Sequence, residues 1–463
     1  MSRVRRICYV TGTRADFGLM VSTLHAIAAD ARLDLGLAVT GMHLAQRHGM
    51  TVREVEAEGL RIDATIPVEL EPPGGATMAR NIGHMTVGLV DAFERIEPDL
   101  VLLLGDRGEM LAGALAAAHL GIGIAHLHGG ERSGTIDESV RHAISKLAHH
   151  HLVATQASRD RLIRMGEDPQ HIVVVGAPGL DGLTALERAD RSELCASVGF
   201  DPGRPMALML FHPVLQERAS AAAQTAAILD SLTALRWQTL ALMPNADAGS
   251  ERVREQLLHR RDEAGLVVRT HLTRSEFVSW MAACDVMVGN SSSGIIEAAS
   301  FGTPVVNVGS RQQLRERNAN VNDTDADAAS ITAALRCAAA RGRLPVSNVY
   351  GDGHAGARIV ELLETVALTP AHRNRNYPQR AETSVAAPTG EAFLIVDHRT
   401  YRIKPGFTQA HLGVYEEYGY AAQTRHLGQP FAYMFAETGD VNTIVHQWAY
   451  EDAADRARRR AAM

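Results

Sequence analysis

The uninterrupted apolar run Leu100–Leu104, preceded by Pro98 and stopped by Gly105, narrows the choice of fold more than any other segment. Large aliphatic residues without alternation need cover on both faces, which for a strand means the interior of a parallel sheet. Open parallel sheets bind ligands beyond the carboxyl ends of their strands. This run ends in Gly105-Asp106-Arg107, and two others end in a similar way. Ile7–Val10 runs into Thr11-Gly12-Thr13-Arg14-Ala15-Asp16, and Gly121–Ala125 into His126-Leu127-His128-Gly129-Gly130-Glu131. Three strand ends carrying ionisable groups form the pattern of an active site.

Strand-like runs alternate with helix-length amphipathic segments as far as about residue 365. Ile7–Thr11, Asp34–Thr40, Leu100–Leu104, Ile122–His126, Leu152–Ala154 and Ile172–Val175 form a first set. Met206–Phe211, Thr239–Met243, Val267–Arg269, Val286–Gly289 and Val305–Val308 form a second. This alternation predicts an α/β class with two doubly wound parallel sheets and right-handed crossovers. A chain of 463 residues also exceeds one ordinary core. The expected divisions are 1–178, with a return helix at about 355–370, and 179–354, crossing at the polar stretch Ala177–Ser192. Residues 372–390 turn polar and read as a linker, and 391–463 as a small α+β domain.

A net charge of −7 gives no general reason to bind nucleic acid or an anionic membrane. No apolar stretch approaches a membrane span, and the first strand follows almost directly on the amino terminus. The expectation is a cytoplasmic protein. Cys8, Cys195, Cys284 and Cys337 lie far apart and read as free thiols. The run His149-His150-His151 reads as the solvated end of a helix rather than a metal site, and no metal is expected.

Arg14 precedes a helix expected to start near Phe17, and a guanidinium beside free backbone N–H groups suits a phosphate. Asp106 reads as a general base, a helix N-cap, or both, with Arg107 holding it ionised or binding substrate. Glu131 and Asp137 are paired carboxylates able to divide acid and base duties, although Asp137 also suits a helix dipole. Gly289-Asn290-Ser291-Ser292-Ser293-Gly294 opens a helix carrying Glu297. Its hydroxyls and N–H groups suit a diphosphate, and Glu297 suits ribose hydroxyls. Together these turns predict a nucleotide-sugar site between two domains.

The segments TGTRADFG, VTGMHL, GDR, HGGERSGTIDESVRHAISKLAH, FHPV, PNADAGS, GNSSSGIIEAASFGTPVVNVGSRQ and NVYGDG occur in order over roughly residues 5–365. As a set they resemble the hydrolysing UDP-N-acetylglucosamine 2-epimerases of sialic acid biosynthesis. The resemblance implies two Rossmann-like domains of glycosyltransferase-B type, assembled as homodimers or homotetramers, with a nucleotide sugar as small-molecule partner and no cofactor. It places Asp106 and Asp137 as catalytic carboxylates. Arg14, Arg107, His212, Asn245, Ser291, Ser292, Glu297 and Arg311 fall at positions that hold UDP or sugar, and His212 is also placed to assist the leaving group. His128 stands where many relatives have Glu; it can shuttle protons, or Glu131 can take that duty.

The implied reaction expels UDP after loss of the C2 proton and then adds water, giving N-acetylmannosamine from UDP-GlcNAc. A second implied substrate is UDP-2,4-diacetamido-2,4,6-trideoxyglucose, on a legionaminic-type route. A catalytically silent nucleotide-sugar-binding regulator is a third reading. His398-Arg399-Thr400-Tyr401, Lys404-Pro405-Gly406 and His446-Gln447-Trp448-Ala449-Tyr450 resemble the NIPSNAP family. That resemblance implies a ferredoxin-like α+β domain, read here as an oligomerisation module with an open sheet edge.

Overall fold

A computed structural model describes residues 3–72, 74–245, 249–366, 395–402, 414–427, 432–435 and 443–462. The expected linker 372–390 and Asp247 lie outside them. The chain divides into two compact units, 1–379 and 380–463.

The first unit holds two parallel sheets. One contains β1 (Arg5–Thr11), β2 (Leu33–Thr40), β3 (Ile62–Ile66), β4 (Leu100–Leu104), β5 (Gly123–Leu127), β6 (His150–Val153) and β7 (Ile172–Val174), in the order 3-2-1-4-5-6-7. The other contains β8 (Met206–Leu210), β9 (Gln238–Leu242), β10 (Leu266–Arg269), β11 (Val286–Gly289), β12 (Val305–Val308) and β13 (Val321–Thr324), in the order 10-9-8-11-12-13. Each order reverses once, between β1 and β4 and between β8 and β11. Beyond those switch points two crevices form, lined by the polar turns that follow each strand.

The uniform apolarity of β4 follows from its two covered faces. Leu100, Leu102 and Leu104 pack with Phe17, Met20, Leu24 and Ile27 of the helix Arg14–Ala29. Val101 and Leu103, pointing the other way, pack with Leu89, Phe93 and Met110. The second sheet repeats the scheme, with Ala207 and Met209 against Ile228 and Leu335 on one face, and Met206 and Leu208 against Trp280 and Met281 on the other.

The chain returns to the first core through the helix Ala355–Thr365, which buries Ile359 and Leu363 beside Met20 and Leu24. These residues stand one turn apart on one face. Burying two such side chains contributes roughly 3–6 kcal/mol. The neighbouring Arg32–Glu364 pair, with Arg32 largely exposed, is screened by solvent and adds little. Apolar packing therefore seats this helix.

The sequence missed β3 and β13. Both are edge strands with exposed or half-exposed polar positions, Ile-Asp-Ala-Thr-Ile and Val-Asn-Asp-Thr, so neither shows a continuous apolar run. The histidine run also needs correction. The helix Ile136–Leu147 ends earlier, and His150 and His151 begin β6 as buried residues, not a solvated helix end. His151 Nε2 lies 3.3 Å from Glu167 Oε2, a partner inside the fold.

The second unit contains an antiparallel sheet in the order β14 (Ile395–Arg402), β16 (Thr443–Tyr450), β15 (Ala432–Phe435). Two helices, Ala421–Leu427 and Ala453–Ala461, accompany it, and Leu427, Trp448 and Tyr450 form its buried cluster. No helix among the described residues is long and apolar enough to cross a membrane.

Candidate active site

The turn after β1 is organised by a buried carboxylate. Asp16 accepts from Thr13 N at 2.6 Å and Thr11 Oγ1 at 2.6 Å, while Thr13 caps the helix that begins at Arg14. The cap directs Arg14 out of the first crevice, where it donates to Leu272 O after β10 and stands 3.8 Å from Glu54. Arg14 thus spans the cleft between the two sheets.

Loops after β4 and β5 are joined through His126. Its Nε2 lies 2.7 Å from Gly105 O, which can only accept, so Nε2 carries the proton and Nδ1 accepts from Ser145 Oγ at 3.1 Å. Burial pushes His126 down to about 3, keeping it neutral. The tether holds Asp106 and Arg107 beside the His128–Glu131 loop. Arg107 turns toward Glu109, with Nε 3.3 Å from Oε2.

His128 sits at φ +59°, a conformation that strains most side chains and persists where surrounding contacts fix it. Its Nδ1 is 2.5 Å from Glu131 Oε1. Burial works to raise the Glu131 pKa, but Arg315 and then His128 outweigh it and hold the carboxyl at about 2. An ionised carboxylate only accepts, so His128 donates from Nδ1, leaving Nε2 as its basic nitrogen. Arg141, 1% exposed, donates from one nitrogen to Glu131 O at 3.1 Å and from another to Asp106 Oδ2. Arg315 pairs with Glu131 Oε2 and lies 4.0 Å from Asp106 Oδ2.

The structure therefore brings Asp106, His128 and Glu131 into one cluster. Asp137 occupies the first turn of the helix Ile136–Leu147, one turn before Arg141 and on the same face. It is half-buried.

The second sheet supplies a separate group. His212 N donates to Asn290 Oδ1 at 2.7 Å, and Asn290 Nδ2 returns a bond to His212 O at 2.8 Å, locking the turns after β8 and β11 together. Their close approach requires Gly289, whose φ is +130° and where a Cβ would lie 1.9 Å from Leu210 O. Asn245 N faces His212 Nδ1 at 3.4 Å, and Arg311 donates to Asn290 O at 3.0 Å. Ser291 caps the short helix Ser292–Ile296, and Glu297, at its end, is buried and paired with Arg274. His212, Asn245, Ser291, Ser292 and Arg311 thus lie beyond the ends of β8, β9, β11 and β12, with Glu297 further along.

The sequence did not single out Arg315, Arg274 or Arg141. Arg315 lies in the polar stretch Ser310–Asn318, where local pattern gives no reason to single out one arginine. Only the fold carries it across to Glu131.

A sequence-family model for UDP-N-acetylglucosamine 2-epimerase matches residues 25–364, and one for NIPSNAP matches residues 396–463. The chain is 49% identical over 365 residues to the UDP-N,N′-diacetylbacillosamine 2-epimerase (hydrolyzing) of Legionella pneumophila, covering 79% of this chain and 97% of that one. It is 33% identical to the UDP-N-acetylglucosamine 2-epimerase of Neisseria meningitidis, over 76% of this chain and 92% of the relative. It is 31% identical to the GDP/UDP-N,N′-diacetylbacillosamine 2-epimerase (hydrolyzing) of Campylobacter jejuni, over 69% and 84%. Among solved structures, UDP-GlcNAc 2-epimerase from Neisseria meningitidis bound to UDP-GlcNAc superposes with a TM-score of 0.64 at 17% identity, over 77% of this chain and 99% of that one. The S. aureus MnaA–UDP co-structure gives a TM-score of 0.65 at 18% identity, over 78% and 96%. These likenesses identify the two-sheet architecture as that of glycosyltransferase-B-like epimerases.

Proposed function

The chain belongs to the UDP-N-acetylglucosamine 2-epimerase family, and we propose that it is a hydrolysing 2-epimerase acting on a UDP-linked 2,4-diacetamido-2,4,6-trideoxy sugar, UDP-N,N′-diacetylbacillosamine. Higher identity to the enzyme named for that sugar than to the one named for UDP-N-acetylglucosamine carries the substrate assignment. UDP-GlcNAc, the first expectation from sequence, gives way to the second.

The reaction begins when a base takes the C2 proton. The C1–O bond breaks, UDP leaves with the bonding electrons, and a C1=C2 double bond forms. Water then supplies hydroxyl to C1, and C2 receives a proton on the opposite face. His128 Nε2, its other nitrogen committed to Glu131, serves as the C2 base. Asp106, which accepts from Arg141, and Asp137, one turn before Arg141 on its helix, supply the acid and base for hydration. His212, Ser291, Ser292 and Arg311 surround the departing diphosphate, with Arg14 and Arg107 reaching it from the first sheet. Asn245 and Glu297 hold the nucleoside.

A direct test compares kcat/KM for the two UDP-sugars. The diacetamido-trideoxy sugar should be preferred by at least about tenfold, because a site fitted to a second acetamide and a methyl leaves polar hydroxyls poorly paired. Equal or better turnover of UDP-GlcNAc would reverse the assignment.

A further inference from the structure

Arg315 follows β12, yet its guanidinium enters the half built on the first sheet. There its side chain is 8% exposed, paired with Glu131 and 4.0 Å from Asp106. Arg141 touches the Asp106 carboxylate but only the main-chain carbonyl of Glu131. Among the described residues, Arg315 is thus the guanidinium that meets both carboxylates. A guanidinium so deeply placed is tolerated only with such partners.

We propose that Arg315 is a positioning residue that completes the acid–base group from across the cleft, fixing Glu131 so that it accepts the hydrogen bond from His128 Nδ1–H and leaves His128 Nε2 as the base. This rests on the hydrolytic 2-epimerase reading above. The two Glu131 oxygens have different partners, Oε1 to His128 and Oε2 to Arg315, so the carboxyl plane is held from both ends. One anchor comes from each sheet's half of the unit. Around Glu131 stand Arg141 from the helix Ile136–Leu147, Arg161 from the helix Gln156–Arg164, and Tyr350 ahead of the return helix. Burial favours the protonated carboxyl, and Arg315 is the leading group opposing it. Without Arg315, Glu131 takes up a proton at higher pH and His128 loses its acceptor.

The experiment uses the full chain with Arg315→Met and Arg315→Lys. For Arg315→Met, kcat should fall about a hundredfold with KM within about threefold, and the acid limb of the kcat profile should rise by about one to two pH units. Arg315→Lys, which restores charge but not the planar fork, should recover most of the pH shift and only part of kcat. Imidazole 15N NMR without substrate, with His128 assigned by its loss in His128→Gln, should show the Nδ1–H tautomer in wild type and not in Arg315→Met. An unchanged acid limb with an unchanged His128 signal, or a loss confined to KM, would overturn the proposal. Absence of UDP-sugar turnover in wild type would overturn the epimerase reading instead, and the tautomer measurement would still decide the role of Arg315.

Discussion

Glu131→Gln keeps the shape of the side chain and removes the charge that Arg315 and His128 share. In the folded chain the carboxyl is held at about 2 against an ordinary 4.5. At about 1.4 kcal/mol per pH unit, that difference stabilises the fold by roughly 3 kcal/mol at neutral pH. The sign follows from a depressed folded pKa: the contribution is complete above about pH 4.5 and lost as pH falls toward about 2. Because Gln resembles the protonated acid, the gap between wild type and variant should be about 3 kcal/mol at pH 7 and about half that near pH 3.5. Urea unfolding read by hydrogen exchange of β4 and β5 peptides isolates this part of the chain from the rest. The same variant should lose about 10²–10⁴ in kcat. A gap that stays constant between those two pH values, or a variant as stable as wild type at neutral pH, would exclude the buried Glu131 charge as a source of stability.

Asp106→Asn should leave the fold and UDP affinity largely intact while lowering turnover by about a hundredfold or more, measured as UDP release beside isothermal titration with UDP; wild-type-like turnover would remove Asp106 from the mechanism. Deleting residues 380–463 should spare the chemistry, since every site residue lies in the first compact unit. The same deletion should change assembly size in light scattering, and an unchanged assembly would remove the oligomerisation role from the second unit.

Much of this architecture was legible because the interior strands bury both faces. β4, β11 and β12 coincide with the apolar runs read from sequence, and their terminal turns carry Asp106 and Ser291. β3 and β13 were not legible, since an edge strand needs cover on fewer sides and keeps Asp63 or Asp323 in its run. The histidines before Leu152 misled for a related reason. Their burial depends on partners such as Glu167 that are distant in sequence. At the site, the turn chemistry of Asp106, His128 and Glu131 was visible locally, but their electrostatics were not. Arg315 reaches Glu131 over a separation of 184 residues, and no local pattern encodes that meeting.

Proton NMR of the purified protein with UDP-N,N′-diacetylbacillosamine in D2O reads elimination and hydration in one measurement. UDP should be released together with a free 2-epimerised sugar carrying deuterium at C2. Release of a sugar with the original C2 configuration and its original proton, or no release while UDP still binds, would contradict hydrolytic 2-epimerisation.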